Sequence, residues 1–281
     1  MLQVRLQTGC FSKEWLDRYI RLGCARGIEQ FGVVDHLYRF KECREYYEGH
    51  MLLDDSPLGR LQRAWLDQVC TYSIHDYLEG MYKAALTVPG LAVGLEVDYF
   101  PGGEKQLGAL LDRWPLDFVI GSVHFHQGWG FDNPDVQQRF QDYDLSELYK
   151  NHFAVVKGAI ASGLFDIIAH RDNLKVFGYR PDEAELLGSY REVAAALKAH
   201  DAATEINTGL LYRYPVKEMC PSPSFLQILF EHGVPITLSS DAHFPDDIGM
   251  HLNTAMQAAQ RAGYKKVVYY KGRVRHTIPL C

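Results

Sequence analysis

Residues 145–207 read LSELYKNHFAVVKGAIASGLFDIIAHRDNLKVFGYRPDEAELLGSYREVAAALKAHDAATEIN and contain two helix-then-strand units in succession. Apolar side chains recur at helical spacing across 145–161 and again across 182–200. The runs FDIIAH (165–170) and ATEIN (203–207) then read as short strands. A strand after every helix is typical of parallel strands covered by helices, so this stretch predicts an α/β fold.

The same unit recurs along the rest of the chain. The further predicted helices cover 12–26, 60–85, 104–113, 223–232 and 252–262. The further predicted strands cover 31–36, 91–100, 116–125, 235–243 and 265–270. Seven strands in one series, with no Pro/Gly/Ser-rich linker between them, predict a single α/β barrel domain across residues 1–281. The polar and irregular segment 40–60 is predicted to form a loop over the barrel mouth.

The composition argues against several classes of protein. A net charge of −6 does not provide the basic face that binding of nucleic acid requires. The six cysteines include no CxxC pair, and no apolar run approaches the roughly 20 residues of a membrane-spanning helix. We therefore predict a cytoplasmic enzyme with reduced cysteines and without nucleic-acid or membrane partners.

Polar side chains follow the predicted strands at the ends where barrel enzymes build their active sites. These residues are Asp35 and His36, Glu96 and Asp98, His124 and His126, His170 and Asp172, Asn207, and Asp241 and His243. A single histidine at a strand end is more often a structural residue, but this series is too regular to be a set of accidents. Imidazole and carboxylate ligands together suit zinc, manganese or iron, so the series predicts a metal site.

Glu96 is the strongest single candidate ligand. It lies deep in an apolar strand, where a carboxylate is costly unless it is paired or bound to a metal. Asp98 lies nearer the following loop, where contact with solvent alone could satisfy it. His124 and His126 share one side of an extended strand, so both could reach a metal, or one could bind substrate.

The motifs DHLYRF, GLEVDYF, GSVHFH, FDIIAHRDNLKVFG, EINTGL and SSDAHFPDDIG occur in this order. Together they resemble the polymerase-and-histidinol-phosphatase (PHP) superfamily, and within it the histidinol-phosphate phosphatase branch. The resemblance covers residues 12–262. It implies a distorted (β/α)₇ TIM-like barrel, a site for two or three divalent metal ions, and hydrolysis of phosphate esters.

The resemblance also implies roles for particular residues. Glu96 matches the carboxylate that bridges the first two metals, and His124 and His170 match the other ligands of the second. In such a site a hydroxide that bridges two cations attacks phosphorus, so the implied catalytic residues are Glu96, Asp241 and His243. The implied metal ligands are His36, Glu96, His124, His170, Asp241 and His243.

The start of the chain departs from the family pattern. The family opens with a strand that carries His-x-His, whereas here no histidine precedes His36. If VRLQTG formed that strand, Gln7 and Gly9 would replace the two histidines. Either the first metal site has been lost or the chain begins downstream of it, and we favour the second explanation. We expect a gap in the barrel at this strand, fewer metals than the full set, and reduced phosphatase activity.

Recognition of a phosphate requires a cation besides the metals. Arginine suits this task because its planar fork can bind two phosphoryl oxygens. Arg39, Arg171 and Arg213 each follow a strand-end motif, so we expect at least one of them to project into the metal cavity. His126 is a further candidate for binding substrate.

The leading functional prediction is hydrolysis of L-histidinol phosphate to L-histidinol and phosphate in histidine biosynthesis. Two alternatives remain: a PHP hydrolase that acts on another small phosphate ester, and a barrel with a crippled metal site that acts only in binding. The presence of six expected ligands favours an enzyme over a binding protein. The predicted partner is a small phosphorylated molecule, and the sequence makes no prediction about protein partners.

Overall fold

The computed structural model describes residues 2–3 and 13–280 of the chain. Its strands are β1 (Leu2–Gln3), β2 (Phe31–Val34), β3 (Leu91–Asp98), β4 (Phe118–Ser122), β5 (Phe125–His126), β6 (Trp129–Gly130), β7 (Ile167–Ile168), β8 (Ala203–Asn207), β9 (Ile236–Ser239), β10 (Lys266–Lys271) and β11 (Val274–Pro279). Its α-helices are α1 (Lys13–Ala25), α2 (Arg44–Glu48), α3 (Pro57–Val69), α4 (Ile74–Ala85), α5 (Glu104–Leu111), α6 (Leu145–Ala161), α7 (Glu183–Ala199), α8 (Gly209–Arg213), α9 (Pro223–Glu231) and α10 (Leu252–Ala262).

In the described part of the chain, seven strands form one sheet in the order β1, β2, β3, β4, β7, β8, β9. Every neighbouring pair in this sheet is parallel, so each connection must cross back over the sheet. Helices provide most of these crossings, and all eight residues of β3 are buried. The predicted α/β TIM-like barrel is confirmed, and the carboxyl ends of its strands lie at one rim.

Most predicted elements lie where the periodicity placed them. Helix α6 and strand β8 have the predicted bounds, 145–161 and 203–207. The single helix predicted across 60–85 is wrong, because α3 and α4 share this stretch. The hydroxyls of Ser56 and Ser73 each accept a hydrogen bond from a backbone N–H three residues further on. Ser73 therefore begins a new helix by satisfying one of its otherwise unpaired N–H groups.

The predicted seventh barrel strand, 265–270, does not join the parallel sheet. Strand β10 instead pairs antiparallel with β11 in a separate hairpin. The turn residues Gly272 and Arg273 have φ values of 57° and 62°, the conformation that favours two-residue hairpin turns. An apolar strand after a helix cannot by itself be distinguished from a barrel strand, which explains the error.

Strand β1 takes the seventh position in the sheet. Leu2 and Gln3 pair in parallel with Val33 and Val34 of β2. We expected a gap in the barrel at this edge. That prediction is wrong for the position that Leu2 and Gln3 occupy. Gln7 and Gly9, the residues considered in place of the His-x-His histidines, fall outside the described residues.

The β10–β11 turn packs against the amino ends of β4 and β7. Nζ of Lys271 lies 2.8 Å from Oδ2 of Asp117, and Nε of Arg273 lies 2.7 Å from Oδ2 of Asp166. Each carboxylate also accepts a backbone N–H from a barrel strand, at 2.8 Å for Asp117 and 2.7 Å for Asp166. The hairpin is thereby anchored at the end of the barrel opposite the strand-end histidines.

The segment 40–60 is not the irregular loop that its polarity suggested. It contains α2 and the start of α3, and its Tyr46 and Tyr47 are fully buried. Their hydroxyls hydrogen-bond to Asp98 at the carboxyl end of β3. The composition concealed this packing because tyrosine can bury its ring while its hydroxyl keeps a partner.

The described cysteines are present as thiols. Cys24 is exposed, whereas Cys43, Cys70 and Cys220 are buried. Burial raises the pKa of the Cys70 thiol, which disfavours the reactive thiolate. None of the helices in residues 13–280 combines the length and apolarity needed to cross a membrane.

Candidate metal centre

Three ionisable side chains converge at the carboxyl ends of neighbouring strands. Glu96 lies near the end of β3. His124 lies two positions after the last residue of β4, and His170 lies two positions after the last residue of β7. Because β3, β4 and β7 are consecutive in the sheet, side chains at their ends can reach the same point. All three residues are buried.

The donor atoms of this group are spaced as ligands of one ion. Oε1 of Glu96 lies 3.2 Å from Nε2 of His170 and 3.7 Å from Nε2 of His124. The two Nε2 atoms are 3.3 Å apart. A tetrahedral ion with ligands at about 2.0–2.2 Å separates neighbouring donor atoms by roughly 3.3–3.6 Å. The group therefore fits a divalent metal ion, and the structure brings together the three residues predicted to share one.

The carboxylate and the imidazoles depend on each other. Burial raises the pKa of Glu96, and the hydrogen bond and charge of His170 offset only part of this effect. Burial alone would lower the pKa of His170, but the same contact with Glu96 raises it. A divalent cation can take the place of the proton that such a pair shares, so metal binding here would release protons.

A second cluster lines the same cavity. The guanidinium of Arg213 donates a hydrogen bond to Oδ2 of Asp241 and lies 3.0 Å from Nε2 of His243. Asp241 has a φ of 51°, and its backbone N–H donates to Oγ of Ser239 at 3.1 Å. A left-handed backbone is uncommon outside glycine and is typical of functional sites.

The remaining predicted ligands line the cavity without completing another metal group. In residues 13–280, the Glu96 group alone brings three His, Cys, Asp or Glu donors within 4.8 Å of one another. Nδ1 of His36 lies 3.9 Å from Oε1 of Glu96, and the His36 ring stacks on Tyr38. At Asp241 and His243 the guanidinium of Arg213 already provides a cation. The metal roles of these three residues stay predictions.

Of the predicted substrate-binding residues, Arg213 lines the cavity, as expected for at least one arginine. Arg171 does not, and its predicted role is wrong. Its guanidinium donates to the hydroxyl of Thr204 and the carbonyl oxygen of Glu205 and lies 5.1 Å from the ring centre of Phe225. A side chain buried in this way cannot reach a substrate at the barrel mouth.

Arg39 and His126 are not among the residues that line the cavity, and their role in substrate binding stays a prediction. Nε of Arg39 lies 3.6 Å from Oδ1 of Asp35, and its guanidinium lies 4.7 Å from the ring centre of Tyr72. His126 is buried in the β5–β6 hairpin against the ring of Tyr143, and burial lowers its pKa. The chain turns into this hairpin soon after β4, so alternation along an extended strand no longer predicts the direction of His126.

Other lining residues come from segments that the strand-end argument does not reach. Among these, Asp132 has a carboxylate that makes no hydrogen bond or ion pair with any described residue. Tyr38 and Trp65 pack against each other with ring centres 4.7 Å apart. The lining residues that the sequence did not predict are Tyr38, Trp65, Phe125, Asp132, Asn173, Val176, Leu210 and Tyr214.

The sequence of the chain is similar to that of known proteins. The model of the family described as "PHP domain" matches residues 8–209. A Deinococcus radiodurans protein named "Probable histidinol-phosphatase" is 38% identical over 178 residues, which make up 63% of this chain and 66% of that protein. The chain thus spans slightly less than two thirds of the length of this relative.

Two solved structures share the fold. Histidinol phosphate phosphatase from Lactococcus lactis, crystallised with zinc, L-histidinol and phosphate, matches with a TM-score of 0.65 and 18% identity over 92% of both chains. A protein from Listeria monocytogenes matches with a TM-score of 0.71 and 19% identity, over 90% of this chain and 97% of its own. At these identities the likeness concerns the fold alone.

Replacing His170 with alanine should weaken zinc binding by roughly 100-fold or more, because the ion would lose one of its three protein ligands. The measurement is competition between the full chain and a chromophoric zinc chelator. His200→Ala is the control, since His200 is exposed at the end of α7. Equal zinc affinities of H170A and the unaltered chain would contradict the assignment.

Proposed function

The chain belongs to the PHP domain family, and we propose that it hydrolyses the phosphate monoester of L-histidinol in a metal-dependent reaction. The observation that carries this proposal is one cavity lined by Arg213 and by His124 and His170, two of the three donors of the metal group. Cleavage of a phosphate monoester requires such cationic groups around the phosphoryl oxygens. The similarity to a protein named as a probable histidinol-phosphatase supports the choice of substrate.

Glu96, His124 and His170 would hold the divalent cation, and their chemistry suits zinc, manganese and iron alike. When bound, the cation supplies Lewis-acid neutralisation of phosphoryl charge and makes water acidic enough to act near neutral pH. The contribution of the chain is a buried and preformed set of donors. Groups that are already in place need not reorganise when charge develops in the transition state.

Arg213 would orient the phosphoryl group. The ion pair with Asp241 fixes the position of its guanidinium at the cavity wall. Charge-assisted hydrogen bonds from a fixed guanidinium to phosphoryl oxygens are strong and directional. In this proposal Asp241 acts by holding Arg213.

His243 would take a proton from the attacking water. The guanidinium of Arg213 contacts both ring nitrogens of His243. Nδ1 also lies 3.0 Å from the carbonyl oxygen of Asp241, which can only accept, so the hydrogen is on Nδ1 and Nε2 carries a lone pair. The hydroxyl of Tyr19 donates to the carbonyl oxygen of His243 at 2.9 Å and fixes the backbone there. A basic nitrogen held at the cavity wall is suited to general-base catalysis.

Asp132 would bind the cationic end of the substrate. Its carboxylate lines the cavity together with the rings of Tyr38, Trp65 and Phe125. The ammonium and imidazole groups of L-histidinol phosphate match a carboxylate and aromatic faces. A cavity with both Arg213 and Asp132 in its wall suits an amine that also carries a phosphate.

We further propose that residues 1–281 act as one catalytic domain in the cytoplasm, at the histidinol-phosphate step of histidine biosynthesis. Hydrolysis of another small phosphate ester would use the same metal group and Arg213. A barrel that acts only in binding would bind the phosphorylated molecule without releasing phosphate.

The direct test is release of phosphate from L-histidinol phosphate by the full chain loaded with zinc, manganese or iron in turn. We expect turnover that a chelator abolishes and the metal restores. Arg213→Met should lower kcat/KM by roughly 100-fold, because it removes a charge-assisted contact to the phosphoryl group. Arg60→Met, at an exposed position, should leave the kinetics unchanged. Zinc binding without release of phosphate for any of the three metals would contradict the proposal and favour a binding protein.

The role of Asp132 predicts a change in substrate selectivity. Asp132→Asn should raise KM for L-histidinol phosphate by roughly 10- to 100-fold, because it removes the charge that attracts the ammonium group. The KM for p-nitrophenyl phosphate, which has no cationic group, should stay the same. Asp135→Asn, at an exposed position of the same segment, is the matched control. A parallel rise of KM for both substrates would contradict a role in recognition of the amine.

A further inference from the structure

A chain of buried hydrogen bonds reaches the candidate metal group from outside it. Nδ1 of His124 lies 2.7 Å from Oδ1 of Asp98. The hydroxyl of Tyr47 donates to the other carboxylate oxygen, Oδ2, at 2.9 Å. The exposed fractions of Tyr47, Asp98 and His124 are 0%, 1% and 8%, so solvent hardly competes for these contacts.

The geometry defines which nitrogen of His124 faces the metal group. A carboxylate accepts hydrogen bonds, so Nδ1 carries the hydrogen that Asp98 receives. Nε2 is then the nitrogen directed at the group, 3.7 Å from Oε1 of Glu96 and 3.3 Å from Nε2 of His170. From its sequence position Asp98 could be satisfied by solvent alone, whereas in the structure its carboxylate has two buried partners, Tyr47 and His124.

We propose that Asp98 and Tyr47 are positioning residues that hold the His124 ring so that Nε2 is presented to a bound cation. The inference rests on the proposed metal-dependent function and adds to it two residues that touch neither metal nor substrate. A histidine that ligates through one nitrogen needs its other N–H satisfied, and such partners contribute roughly 10- to 100-fold to metal affinity. The carboxylate acts on His124 directly, and the phenol acts on it through the carboxylate.

Tyr47 gives the segment 40–60 a function. The tyrosine belongs to α2, and its hydrogen bond to Asp98 links α2 to His124. Its neighbour Tyr46 is equally buried, but its hydroxyl donates at 3.0 Å to the backbone carbonyl oxygen of Asp98. Comparing substitutions at the two tyrosines therefore distinguishes loss of the contact with the carboxylate from loss of packing between α2 and β3.

The test compares zinc affinities of the full chain and its variants by chelator competition. Asp98→Asn should weaken zinc binding by roughly 10- to 100-fold, and Tyr47→Phe by a smaller factor of about 3 to 10. Tyr46→Phe is the matched control and should stay within about twofold of the unaltered chain, because the carboxylate keeps both partners. Affinities of Asp98→Asn and Tyr47→Phe within twofold of the control would overturn the proposal. If Asp98→Asn fails to fold, Tyr47→Phe alone decides the outcome.

A spectroscopic readout separates positioning from general stabilisation. In the zinc-loaded chain, proton–nitrogen correlation spectra should show the His124 proton on Nδ1, at low field because Asp98 accepts it. This resonance should move upfield in Asp98→Asn and keep its position in Tyr46→Phe. A proton on Nε2 of zinc-bound His124 would overturn the proposal. Because neither measurement uses turnover, absence of phosphatase activity would refute the proposed function without changing this result.

Discussion

Glu96 is a carboxylate buried among parallel strands, and the arrangement of the whole site depends on how its charge is satisfied. An ionised carboxylate without a partner in the protein interior costs several kcal/mol. The imidazoles of His170 and His124 lie 3.2 and 3.7 Å from Oε1 and provide those partners. A divalent cation would satisfy all three groups at once, so the interaction that stabilises the buried acid also prepares it for metal binding.

The metal group and the contacts that anchor the β10–β11 hairpin lie at opposite ends of the parallel sheet. Consecutive strands β3, β4 and β7 bring Glu96, His124 and His170 together at the carboxyl rim. At the amino end, the β10–β11 hairpin is anchored through Asp117 and Asp166. Segments outside the sheet then supply what the strands cannot. Helix α8 ends at Arg213, α2 contributes Tyr47, and the segment after β6 contributes Asp132.

Local patterns predicted the barrel and a metal site at the ends of its strands, and the family resemblance implied which three donors share one ion. Apolar runs after helices indicate parallel strands, and residues at the ends of neighbouring strands must meet. The error at Arg171 has a simple cause. It is adjacent to His170, and neighbouring side chains near a strand end point in opposite directions, so it lies in the core. The contacts of Tyr47 and Asp132 come from chain packing between distant segments, and no periodicity in the sequence reports such contacts.

The most direct measurement is anomalous diffraction at the zinc edge from crystals of the full chain grown with zinc. A zinc ion held by the Glu96 group should give a peak about 2.0–2.2 Å from a carboxylate oxygen of Glu96 and from Nε2 of His124 and His170. The ring of His124 should still place Nδ1 against Asp98. Zinc bound at Asp241 and His243 with no peak between Glu96 and the two histidines would contradict the assignment of the metal ion to the Glu96 group.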